Sequence, residues 1–205
     1  MVKKKLIWVG PEFTPYHEFF LDCVAKDPRF DLHVEMMDGP SKTHPFKLGA
    51  KKPYSWRIGS HLEPGAASVI ERVLSESEAA VVVASYVHPT LLKVMRALAQ
   101  HGRSYIYFTD TPLPNCERWQ GDAMEKRSLP RRIGRRLLLR WIFAHARSVF
   151  ATGKVGVEAV VKLGCPVEKA VVFPFFVPLP DYDAAAKQGP TVRFASVGQL
   201  IERKG

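Results

Sequence analysis

Short, β-rich apolar runs alternate with longer segments of helical period along this chain, and that alternation limits its fold more than any single residue does. The strand candidates are Lys5–Val9, Asp31–Met36, Ala79–Ser85, Ser104–Thr109, Ser148–Ala151 and Ala170–Phe173. Between them lie helix candidates Tyr16–Ala25, Ala66–Ser75, Pro89–Gln100, Arg131–Ala146 and Val155–Leu163. Pro89 stands where a first helical turn tolerates proline, and Gly102 and Gly164 stand where helices end. Repeated alternation of this kind predicts an α/β domain built on a doubly wound parallel sheet. Ligands of such sheets bind beyond the carboxyl ends of the strands, so functional residues are expected in the loops that follow them.

The composition is globular: 205 residues, 46% hydrophobic and 24% charged, which excludes disordered and fibrous classes. That length accommodates one good-sized domain and the beginning of another. Cys23, Cys116 and Cys165 are far apart and form no Cys-x-x-Cys pair. Neither a disulfide framework nor a zinc site is expected, and a reducing compartment fits. No apolar run approaches the roughly 18 residues of a membrane span. Lys3, Lys4 and Lys5 precede a short apolar stretch that stops at Gly10-Pro11-Glu12, too soon for a signal peptide. The segment reads as a strand and the protein as cytoplasmic.

Two stretches break the alternation. Residues 38 to 64 are polar and rich in Gly, Pro, Lys and aromatics, either a functional loop or a plain insertion. Pro174 to Pro190 holds four prolines around an Ala-rich patch, a linker composition, and a fresh strand follows at Val192–Val197. The expected division is a domain at 1–178, a linker at 179–191 and the start of a second domain at 192–205. Dinucleotide and P-loop fingerprints are absent. Gly153-Lys154-Val155-Gly156 lacks the P-loop spacing and reads as a glycine turn between strand and helix.

The segment Phe194 to Gly205, FASVGQLIERKG, resembles the strand and loop that open the nucleotide-sugar domain of the retaining GT-B glycosyltransferases of family four. Ala144 to Gly153 resembles that family's passage from a basic helix into a strand, and Val171 to Val177 its strand-end proline. The resemblance implies a Rossmann-like GT-B N-terminal domain on the acceptor side of the enzyme. It implies transfer of a sugar from a nucleotide-sugar donor to a hydroxyl acceptor, saccharide or lipid-linked. The nucleotide-sugar is a substrate, so neither a cofactor nor a metal is implied. The paired glutamates that bind sugar and ribose in the family would lie in the other half, so turnover by the 205-residue chain alone is not expected.

Site residues follow from the same resemblance. Gly198, Arg203 and Lys204 match the donor-diphosphate loop, where backbone N–H groups and cations hold phosphate. Gln199 replaces an arginine common in the family, leaving the contact to Lys204 and Arg203. Asp110 ends a strand where the family lines its reaction site, so it is the catalytic candidate, able to accept a hydrogen bond or proton from an acceptor hydroxyl. Equally, it suits a turn before Pro112. Tyr16 and His17 occupy a first loop bulkier than the family's glycine pair and are implied to shape the acceptor pocket. His88 holds the same topological position after another strand, as a ligand contact or as a structural histidine.

From Lys126 to Arg147 there are eight basic residues and no acidic one. On a helical wheel Arg131, Arg132, Arg135, Arg136 and Arg140 fall on one half, while Ile133, Leu137, Leu138 and Trp141 fall on the other, an apolar side widened by Ile142 and Phe143. Such a helix can lie on an anionic membrane surface. The plain alternative packs the apolar stripe on the sheet and leaves the arginines solvated. A non-catalytic basic module binding anionic membrane or nucleic acid is the competing function. Nucleic acid is the less favoured partner, because no helix-turn-helix, zinc or RNP signature accompanies the charge.

Overall fold

The computed structural model describes residues 2–39, 51–59, 66–110, 117–120, 123–126 and 128–174. Seven strands form one sheet: β1 (Lys4–Gly10), β2 (Phe30–Met36), β3 (Ser55–Ile58), β4 (Ala80–Ala84), β5 (Tyr105–Thr109), β8 (Ala146–Thr152) and β9 (Ala170–Phe173). Their order is β3-β2-β1-β4-β5-β8-β9, and every pairing is parallel. The remaining strands, β6 (Glu117–Gln120) and β7 (Ala123–Lys126), form a separate antiparallel hairpin. Central strands of a parallel sheet are covered on both faces and read as continuous apolar runs. Accordingly Ile7, Trp8 and Val9 in β1 and Val81 to Ala84 in β4 are all buried.

Five helices connect the strands: α1 (Pro15–Lys26), α2 (Ala66–Ser75), α3 (Pro89–Gln100), α4 (Leu129–His145) and α5 (Gly153–Lys162). Successive strand residues point to opposite faces, and the core divides accordingly. Ile7 and Val9 join α2, α3, α4 and α5 in one cluster. Leu6 and Trp8 join α1 and the aromatic residues Phe108, Phe150 and Phe173 in the other. Gly102 and Gly164, expected as helix terminators, have φ of +67° and +103°, which only glycine adopts without strain. Gly153 is the expected turn into α5. Side chains close other ends. Lys169 Nζ donates to the carbonyls of Phe143, Ala144 and Ala146 at the end of α4, and Arg103 donates to those of Val73, Glu76 and Ala79 after α2.

The expected doubly wound parallel α/β sheet is therefore present, with each strand and helix expected among the described residues within about two residues of its sequence bounds. Two elements were not foreseen, the hairpin and β3. The latter lies inside the polar stretch 38 to 64, as an edge strand beside β2. Lys52, with a side chain 1% exposed, pairs with Glu18 of α1 and ties this stretch to the domain. None of the helices is long and apolar enough to cross a membrane among the described residues. The expected linker and second-domain start lie outside the described residues.

The β2–β3 edge contains a fully buried carboxylate, Glu35. It accepts hydrogen bonds from Arg57 Nη2 at 2.6 Å and Nε at 3.1 Å and sits 2.6 Å from His33 Nε2. Burial alone would raise its pKa, but the His33 and Arg57 bonds outweigh burial and hold it below the ordinary glutamate value. A carboxyl lowered by folding stabilises the native state above its unfolded pKa, and that contribution disappears as pH falls through the lower folded value. Urea unfolding of Glu35→Gln is expected to show a loss of about 3 kcal/mol at neutral pH, shrinking towards zero in acid.

Candidate functional site

At β1 the chain order reverses: one connection leads to β2 and the other neighbour is β4. This is the topological switch point, where a crevice opens beyond the carboxyl ends. The loops after β1 and β2 are joined by Met37 N donating to Gly10 O at 2.9 Å and Asp38 N to Pro11 O at 2.8 Å. Thr14 caps α1 by accepting from His17 N at 3.3 Å, and Pro15 follows where its missing N–H is harmless. Tyr16 and His17 therefore sit in the first turn of α1, with Tyr16 47% exposed.

The loop after β4 turns at Ser85, whose φ of 78° is the one left-handed non-glycine backbone among the described residues. Ser85 N donates to Phe108 O at 2.9 Å, and its Oγ accepts from Val87 N at 3.2 Å. His88 then caps α3, its Nδ1 accepting from Thr90 N at 3.2 Å. Its Nε2 lies 3.9 Å from Asp38 Oδ2. The structural alternative for His88 is thus present in the fold, and the same ring faces the β2 loop.

His17 is the residue that links these loops. Its ring packs against Trp8 at 5.7 Å and Phe108 at 6.0 Å between centroids. Nδ1 is shut from solvent without a partner among the described residues. Burial lowers the His17 pKa, while a hydrogen bond to the Glu12 backbone and the nearby Asp110 carboxylate act in the opposite direction. The imidazole is therefore neutral at physiological pH, near a carboxylate and at the carboxyl ends of β1 and β5. The family resemblance implied these two residues separately; their proximity comes from strand order.

One assigned residue is corrected. Arg135 is not part of the cationic surface: it is 9% exposed, and its Nε donates to Tyr86 Oη at 2.8 Å in the loop after β4. The helix meets the domain through Arg135, Leu139, Ile142 and Phe143, with Leu138 and Trp141 partly buried against the same cluster, so the expected apolar side faces inward only in its carboxyl half. Ile133 and Leu137 are 52% and 61% exposed. Arg131, Arg132, Arg136 and Arg140 are exposed as expected. Tyr86 and Ser85 carried no sequence signal, since their importance rests on a partner 49 residues away and on a backbone angle. Gly198, Arg203 and Lys204 lie outside the described residues. Two shallow clefts, one beside Lys5, His33 and Glu76 and one beside Arg103 and Arg147, lie at the amino ends of the strands, remote from these loops.

The model of the glycosyl transferase 4-like domain family matches residues 20–175. The chain belongs to this family. No curated protein matches its sequence significantly. Among solved structures, HepE of Anabaena in complex with UDP aligns with this glycosyl transferase 4-like domain at a TM-score of 0.53 and 13% identity, over 83% of this chain and 44% of its own. The HepE complex with UDP and glucose aligns at 0.53 and 12%, over 84% and 44%. The UDP complex of S. aureus MnaA aligns at 0.49 and 16%, over 82% and 43%. The likeness to HepE is one of fold, a GT-B, Rossmann-like architecture, and the chain spans less than half of each of these proteins.

The placement of Arg135 has a direct check. A double-mutant cycle of Arg135→Ala with Tyr86→Phe is expected to give a coupling of about 1 to 2 kcal/mol in urea unfolding. Arg132→Ala should leave stability within about 0.5 kcal/mol of the parent.

Proposed function

We propose that this domain is the acceptor-side half of a glycosyltransferase that moves a sugar from a nucleotide-sugar to a hydroxyl acceptor, saccharide or lipid-linked, with retention of configuration. The supporting observation is that the carboxyl ends of β1, β4 and β5 lie side by side in a glycosyl transferase 4-like domain, with Tyr16, His17, His88 and Asp110 on that one edge of the sheet. The UDP in the HepE complexes makes UDP-sugars the first donors to try. On this reading Gly198, Arg203 and Lys204 hold the donor diphosphate, since a glycine loop and two cations complement its charge.

The acceptor hydroxyl rests between Tyr16 and His17, and Asp110 accepts its hydrogen bond and then its proton as the new glycosidic bond forms and the bond from the anomeric carbon to the diphosphate oxygen breaks, the nucleoside diphosphate leaving with that electron pair. A neutral imidazole can also accept from a hydroxyl, which a protonated one cannot. The lowered His17 pKa therefore extends the working range to lower pH. The isolated chain is proposed to bind ligands without turning over, because the sugar-binding glutamates belong to the other half.

Nucleotide release from UDP-sugars, assayed in the protein that joins this domain to its donor half, tests the assignment. Asp110→Asn is expected to lower kcat about 100-fold with little change in KM for the donor, the loss typical of a positioned base. Unchanged kinetics would remove Asp110 from the reaction. The acid limb of kcat/KM is expected below the ordinary histidine range, and His17→Gln should abolish that limb.

A further inference from the structure

We infer that the outer face of α4 docks on an anionic lipid surface, a property independent of the transfer chemistry. The inference begins with how the helix divides its circumference. Arg135, Leu139, Ile142 and Phe143 are buried against the domain. On the outer side Leu129, Ile133 and Leu137 stand four residues apart, 65%, 52% and 61% exposed. Half-buried Trp141 continues the row at the same spacing and packs in part against the core. Arg132, Arg136 and Arg140, also four apart and all exposed, run alongside it. At a rise of about 1.5 Å per residue, the apolar ridge and the cationic row lie side by side over about 12 Å.

A helix whose outer face is merely solvated places polar residues there and keeps its large aliphatics inward. Scattered surface leucines are ordinary, whereas three in register along a helix make a continuous apolar strip. Val155 and Val167, also strongly exposed near helices, sit among charges of both signs, with Glu158 and Glu168 close in sequence. No carboxylate occurs from Lys126 to Arg147. Apolar side chains that enter the acyl boundary, next to arginines level with headgroup phosphates, match what an interface-lying helix presents to an anionic bilayer. Nucleic acid would engage the arginines and leave the ridge in water. The amino end of α4 also follows the connection from β5, so the ridge begins on the same edge of the sheet as the loops bearing His17 and Asp110.

Co-sedimentation of the full chain with phosphatidylcholine vesicles, with and without phosphatidylglycerol, tests the inference. Binding is expected only with the anionic lipid and should weaken as salt rises. Arg132→Ser with Arg136→Ser should weaken it about thirtyfold, from the usual contribution of each arginine near a charged surface. Ile133→Ser with Leu137→Ser should weaken it about tenfold or more with an unchanged melting temperature, and Val155→Ser should change nothing. Equal binding to both vesicle types, or none to the anionic ones, would overturn the docking surface. So would full vesicle affinity in the Ile133→Ser, Leu137→Ser protein, with DNA retardation identifying a general polyanion site instead. A self-association lost on Leu137→Ser, without vesicle binding, would make the ridge a contact between copies.

Discussion

Parallel pairing of β1 with both β2 and β4 gives the sheet a single polarity, so every strand delivers its chain to the same edge. The connections on that edge then compete for limited space at the switch point. Gly10 is where this competition is tightest: a Cβ there would lie 2.8 Å from Met36 Sδ and 3.0 Å from Trp8 Nε1. A larger residue there would have to displace the buried Met36 and Trp8 side chains. Ser85 shows the same pressure in its backbone, since a left-handed serine costs about 1 to 3 kcal/mol. Bonds to Phe108 O and Val87 N hold it there. Close approach and strain thus fall on the loops that hold the proposed acceptor site.

The same packing sets the chemistry of His17. Trp8, Phe108 and the first turn of α1 surround a ring that, in water, would be partly protonated near neutral pH. Excluding water disfavours the charged form, and the Asp110 carboxylate recovers only part of that loss. A neutral histidine near the Asp110 carboxyl group is a consequence of burying one and leaving the other at the strand end. Glu35 is the opposite case: it is buried too, yet two cation-capable partners keep it ionised. The protein thus holds two titratable groups away from their ordinary behaviour by different means, one for the edge strand and one for the proposed site.

Much of this architecture was legible because each central strand must be apolar on both faces and each crossover helix must carry a 3.6-residue period. The bounds of α3, Pro89–Gln100, are visible in the proline at its start and the glycine after its end. Legibility failed where a partner distant in sequence supplied the reason. The strand Ser55–Ile58 is an edge strand with no fully buried residue, so no apolar run announces it, and its anchor is Lys52 reaching Glu18. Arg135 reads as one more arginine in a basic segment until Tyr86 is placed beside it. Likewise His17 and Asp110 belong to segments almost a hundred residues apart, and only the adjacency of β1, β4 and β5 makes them neighbours.

The orientation of α4 shows why composition alone does not settle which apolar residues of its amino half face inward. The helix has more large apolar residues than its contact with the sheet can cover, because that contact is satisfied by Leu139, Ile142 and Phe143 towards its carboxyl half. Towards the amino half the inward position goes to Arg135, which is buried and whose guanidinium reaches Tyr86. Leu129, Ile133 and Leu137 are consequently displaced to the outside. Turning the helix to bury them would pull Arg135 from Tyr86 and lift Leu139 and Phe143 off the core, a loss of several kcal/mol for each large side chain. The outward ridge is therefore imposed by what the inner face must hold, and it lies on the amino half of the helix, next to the edge where the loops converge.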